Sequence, residues 1–135
     1  MITEDYVSFE TAKLLKEKGF DADIEHDMWY VVEKFSTGCH WNSCTYKVGD
    51  ITREYDEKCC IVMPTLWMAM KWLRNIYHIE IYPFHDAIQE NNDWWYRIER
   101  HFKGCGLPEH ESDVIYKTYE EACEAAIKYC LENLI

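Results

Sequence analysis

Positive charge is scarce in this sequence. Lys and Arg number 14 against 25 Asp and Glu, a formal net charge of −11. A field of that sign repels phosphate backbones, and neutralising phosphates supplies most non-specific nucleic-acid affinity. No Lys/Arg cluster offsets the deficit. Direct DNA or RNA binding is therefore not expected, nor is an anionic membrane surface as partner. Glycine is scarce too. The 5 glycines include no Gly-rich phosphate cradle, which argues against a P-loop or a dinucleotide-binding turn. Long apolar runs are absent, and no segment approaches the ~18 residues of a membrane span. The opening Met1-Ile2-Thr3-Glu4-Asp5 lacks the basic stretch and apolar run of a signal peptide. Without an export signal, the 7 cysteines read as reduced thiols of a cytoplasmic protein, and an odd count cannot pair completely within one chain. There is no linker, repeat or low-complexity tract, so residues 1–135 are expected to form a single globular domain.

Large apolar side chains are plentiful. Hydrophobic residues make up 48% and aromatics 16%, enough for one packed core. A first helix is expected from about Phe9 to Lys18. Ser8 can cap it, Phe9, Ala12 and Leu15 form the stripe, and Gly19 supplies a left-handed stop onto which Phe20 folds back. Asp27 to Phe35 is rich in branched and aromatic residues and predicts a strand. Ser36 to Ser43 has loop chemistry, Cys44 to Val48 fits a short strand, and Ile51 to Lys58 is ambiguous. A second helix has Pro64 in its first turn. Leu66, Ala69, Met70, Leu73 and Tyr77 form its stripe, widened by Trp72 and Ile76, and it should end near Ile76. Ile79 to Phe84 and Trp94 to Phe102 predict an antiparallel pair. In the second, Trp94, Tyr96, Ile98 and Phe102 alternate with Trp95, Arg97, Glu99 and His101, and the first set is assigned to the core. A capping box at Thr118-Tyr119-Glu120-Glu121 opens the last helix, whose buried stripe is Cys123, Ala126, Ile127, Cys130 and Leu134. Val114 to Lys117 could form an edge strand. The fold class is α+β: a small antiparallel sheet of three or four strands, with three helices mostly on one face.

Candidate chemistry is sparse. Cys39, His40, Cys44, Cys59 and Cys60 include ligand types for zinc, but adjacent Cys59 and Cys60 point apart and no Cys-x-x-Cys knuckle exists. Cys39 beside His40 is a local thiol–imidazole pairing, yet neighbours on an extended chain face opposite ways. Cys105, between two glycines, has no catalytic signature around it. His78, Glu80, His85 and Asp86 flank the loop between the two predicted strands and are the residues from which a small enzyme site could be built, with exposed loop polarity as the plainer explanation. No metal and no cofactor are expected. Phe9, Phe20, Trp72 and Phe102 are assigned to the core. Trp29 or Tyr30, Trp41, Tyr82 and Trp95 have no evident core role, and Trp29, Trp41, Tyr82 and Trp95 form the candidate partner-binding set, because Trp and Tyr dominate interface hot spots.

Three segments carry a resemblance. They are Ala12-Lys13-Leu14-Leu15-Lys16-Glu17-Lys18-Gly19-Phe20-Asp21, then Pro64-Thr65-Leu66 through Lys71-Trp72-Leu73-Arg74, then Tyr119-Glu120-Glu121-Ala122 through Leu134. In order and spacing they resemble a family of small uncharacterised proteins of gut Bacteroidales, their prophages and mobile elements. The stretch between Cys39 and Cys60 departs from that pattern. The resemblance implies a phage or mobile-element setting and no activity. Together these readings lead to the expectation of a non-enzymatic accessory protein that binds a host or phage protein.

Overall fold

The computed structural model describes residues 5–20, 28–35, 38–45, 60–85 and 93–135, with the backbone alone for 28–35, 38–45, 60 and 62. The chain is α+β, with three helices and antiparallel three-stranded sheets among the described residues. Its contacts divide it into two compact units, Tyr6–Thr65, and Met1–Asp5 with Leu66–Ile135.

The first unit holds helix α1 (Phe9–Glu17) and strands β1 (Met28–Phe35), β2 (Gly38–Thr45) and β3 (Cys60–Val62), in sheet order β2-β1-β3. The Ser8 oxygen accepts the Thr11 N–H at 3.3 Å, which fixes the start of α1. Its end is a Schellman motif. Phe20 N–H donates to Leu15 O at 2.9 Å and Gly19 N–H to Lys16 O at 3.1 Å, while Gly19 takes the left-handed φ of 86° that favours glycine. Phe20 is thereby folded onto the buried side of α1, as its spacing predicts. The loop expected over Ser36 to Ser43 is corrected: Gly38–Thr45 is a strand, paired in full register with β1 from Phe35↔Gly38 to Met28↔Thr45. A ladder of that length overrides the weak strand propensity of Gly, Asn and Ser. The ambiguous stretch Ile51 to Lys58 lies outside the described residues, as does the end of the short strand expected over Cys44 to Val48.

The second unit holds helix α2 (Leu66–Tyr77), strands β4 (Ile79–His85), β5 (Trp94–Phe102) and β6 (Cys105–Glu111), and helix α3 (Tyr119–Asn133). Pro64 stands just ahead of α2 rather than within its first turn. His78 takes a φ of 57° between α2 and β4, ending the helix where glycine would be usual. The sheet order is β4-β5-β6 and every pairing is antiparallel. The last helix begins at the predicted cap, but the carboxylate of its capping box reaches one residue further back than Thr118. Glu121 N–H donates to Thr118 Oγ1, and Lys117 N–H to Glu121 Oε2, both at 3.1 Å. Its inner stripe of Ala122, Cys123, Ala126, Ile127, Cys130 and Leu131 is fully buried, and α2 and α3 pack on the sheet. Ile79, Ile81, Tyr96 and Ile98, all buried, are the sheet's contribution.

Three expectations in this unit are corrected. Phe102 is 62% exposed and not core, because it closes the β5–β6 hairpin at the far end of its strand. Ile76, expected to widen the α2 stripe, is likewise exposed. Val114 to Lys117 contributes one bridge, Trp94↔Tyr116, rather than an edge strand.

The hairpin also fixes which backbone groups face outwards. Lys103 and Gly104 form a two-residue loop with φ of 50° and 80°, the type I′ signature, so Phe102 and Cys105 exchange hydrogen bonds. By alternation Leu107 also points its backbone at β5, whereas Gly106 and Pro108 point theirs away. A bulge follows, in which Ile98 pairs with His110 and Glu99 with Pro108, leaving Glu109 as the extra residue. On the other side, His101 N–H donates to His78 O at 2.8 Å. The pairs Glu99–Glu80, Arg97–Tyr82 and Trp95–Phe84 then face inwards, and Pro83 faces out. Each edge of the sheet thus carries a proline where a free N–H would otherwise stand.

Two outcomes test this packing. Thr118→Ala should destabilise the chain by about 1 kcal/mol through loss of the cap. A neutral urea titration would show that α3 does not depend on it. Burial also pushes the Cys123 thiol up to about 11 and the Cys130 thiol up to about 12. Thiols of the unfolded chain ionise near the ordinary value of 9.0, so above it the unfolded state releases protons that the folded state keeps. Stability should therefore hold below about pH 9 and fall as pH rises towards those folded values. Cys130→Ala should lose less of its urea midpoint than the parent between about pH 8 and pH 10, and equal losses would contradict the burial of that thiol.

Candidate functional site

Because α2 and α3 bury Ile81, Tyr96 and Ile98, the alternate residues of β4 and β5 lie on the opposite face. These are Glu80, Tyr82 and Phe84 on β4, and Trp95, Arg97, Glu99 and His101 on β5. The register sets Tyr82 across from Arg97 and Phe84 across from Trp95. The two Trp95 and Tyr82 positions singled out in the sequence are therefore diagonal neighbours on one face.

The side chains of this face form a connected set. Phe84 and Trp95 meet edge to face, with ring centroids 4.5 Å apart and planes at 77°. Tyr82 Oη and His101 Nε2 share a hydrogen bond of 3.1 Å. Glu99 stands between Arg97 and His101, with Oε1 3.6 Å from Arg97 Nε and Oε2 3.7 Å from His101 Nε2. Diagonally across on β6, Gly106, the register partner of His101, leaves the room that Glu99 uses: a Cβ there would lie 2.8 Å from Glu99 Oε2. Glu80 is held by Arg74 of α2 in a two-point contact, Nε to Oε2 at 2.7 Å and Nη2 to Oε1 at 3.1 Å. That hydrogen bond raises the Arg74 pKa above its ordinary value. Burial, with the carboxylates of Glu99 and Glu80 adding to it, raises the Tyr82 pKa above its ordinary value. Arg97 and His101 side chains remain 49% and 44% exposed. Trp95, Tyr82 and Phe84 are half-buried.

The other candidates fare differently. Trp29 and Trp41 lie on β1 and β2 in the other unit, at register positions opposite Cys44 and Val32. Cys39 and Cys44 stand towards opposite ends of β2, Cys60 is opposite Val31 on β3, and Cys59 lies outside the described residues. His40 pairs with Glu33. His78, Glu80 and His85 do not converge. His78 and His85 sit at opposite ends of β4, and Glu80 and His85 fall on opposite faces, with the His85 ring 4.9 Å from that of Trp94. Asp86 lies outside the described residues. Among the described residues no three His, Cys, Asp or Glu side chains gather as a metal site, and no helix is long and apolar enough to cross a membrane.

His101 is a member of the face that sequence reasoning did not select, as are Phe84, Arg97 and Glu99. The alternation of β5 already placed it with Trp95. Its contact with Tyr82 needed the β4–β5 register, which no local signal carries. Compared with known proteins, the chain matches no family model, no curated protein and no solved structure.

The geometry implies a measurable coupling. A double-mutant cycle on Phe84→Ala and Trp95→Ala should return an interaction of about 0.5 to 1.5 kcal/mol beyond the single losses, as edge-to-face pairs do. Strict additivity would show that the two rings do not meet in solution.

Proposed function

We propose that this chain is a non-enzymatic module that binds another protein through the outer face of the β4–β5–β6 sheet. The observation that carries the reading is the gathering of Tyr82, Phe84 and Trp95, with Arg97 and His101 beside them, on the sheet face turned away from α2 and α3. Aromatic residues and arginine are the side chains most enriched where protein interfaces hold their binding energy. The prolines at both edges support docking onto the face over the addition of a strand, since strand addition draws its affinity from edge N–H and C=O groups. The mobile-element setting implied by the resemblance makes the partner a host or phage protein met in the cytoplasm.

A photo-crosslinking residue at position 95 tests this in cells. It should give a discrete adduct with one protein, while the same probe in place of Lys13, on the exposed side of α1, should not. Trp95→Ala and Tyr82→Ala should abolish the interaction with circular dichroism unchanged. Equal adducts from both probe positions, or undiminished binding by both variants, would reject the outer face as the partner site.

A further inference from the structure

We infer that the outer face is built to receive a basic segment, one that presents Arg or Lys side chains to rings and carboxylates together; this rests on the protein-binding reading above. A cation is attracted by the face of an aromatic ring, and most strongly where a carboxylate is also in reach. Elsewhere on this chain, exposed rings are met by its own lysines. Lys71 Nζ lies 4.9 Å from the ring centre of Trp67, and Lys103 Nζ 5.7 Å from that of Phe102. Among the described residues no cation stands over Tyr82, Phe84 or Trp95, although these are the rings that one face collects.

The charges of the face point the same way. Glu80, Glu99 and Glu111 lie on its side of the three strands, Glu111 being the register partner of Arg97. Arg74 occupies Glu80, and among the described residues Arg97 is the one guanidinium left on the face for Glu99 and Glu111, so the carboxylates exceed the guanidiniums there by three to two. The whole chain, at −11, adds a long-range field that draws cationic partners and repels anionic ones. An acidic segment or a polyphosphate would meet repulsion on both scales.

Nona-arginine and nona-glutamate peptides, titrated into the full chain and followed by amide NMR shifts at physiological salt, test the inference. Nona-arginine should bind, with its largest shifts at Tyr82, Trp95, Arg97 and Glu99, and nona-glutamate should not. The paired change Glu99→Gln with Glu111→Gln should weaken binding about tenfold. Glu10→Gln with Glu17→Gln, an equal loss of charge on α1, should weaken it less than about threefold, the diffuse part of the attraction. Trp95→Leu should weaken it without altering charge. The inference is overturned if the shifts spread evenly over the acidic surface and both Glu pairs matter alike, or if nona-glutamate binds the face. If nona-arginine bypasses the face while the position 95 crosslink persists, the partner has another chemistry and this inference alone fails. If both are negative, the protein-binding reading fails with it.

Discussion

The burial of α3 on β5 is the constraint from which the rest of the second unit follows. The inner stripe of that helix consists of small and medium side chains, Ala122, Cys123, Ala126, Ile127, Cys130 and Leu131, all fully buried. Alanine and cysteine let the helix approach closely, so Tyr96 and Ile98 can fill the space between helix and sheet. A strand has a side-chain period of two, and a helix cannot bury both parities of one strand from one side. Once Tyr96 and Ile98 face α3, Trp95, Arg97, Glu99 and His101 must face the other way. The composition of the outer face is therefore a by-product of helix packing, and a one-residue slip of β5 would exchange the two sets entirely.

What remained on the helix side also needed partners. Tyr96 stacks towards Tyr116, at 6.1 Å between ring centres, and burial pushes its phenol up to about 12. His110 lies flat on Tyr129 of α3, with ring centres 3.7 Å apart and planes 5° from parallel. Arg100 reaches Glu109 at 3.0 Å and the carbonyl of Leu134 at 3.3 Å, tying the bulge to the end of the last helix. Arg100 on this side is thus shared between two partners, as Glu99 is on the outer side between Arg97 and His101.

Local chemistry made much of this fold legible. The Ser8 and Thr118 caps, the Gly19 stop and the alternation of Trp94 to Phe102 act within a few residues, so the sequence displays them directly. What was missed depends on distant partners. Gly38 to Thr45 reads as loop until β1 is laid beside it, because the ladder rather than the residues makes the strand. β6 was invisible for the same reason: Cys105-Gly106-Leu107-Pro108-Glu109-His110-Glu111 has poor strand propensity, and its cue, the Lys103-Gly104 turn, is short. Phe102 followed the correct alternation, yet among the described residues nothing buries it at the hairpin end of the strand. At the candidate face the residue types were readable from parity, while the contacts Tyr82–His101 and Phe84–Trp95 needed the register.

The outward-facing prolines bear on how the chain fails under stress. A sheet exposed by partial unfolding commonly grows by templating: one free edge pairs with the next molecule, and the process nucleates a fibril. Here Pro83 and Pro108 interrupt that template from opposite edges, and they do so for as long as the hairpin itself survives. Intermediates that have shed their helices but kept β4 to β6 would then be poor seeds. The onset of polymerisation is tied instead to loss of the sheet, a later and less populated event. Unfolding confined to this unit should consequently pass through a reversible window before any irreversible loss.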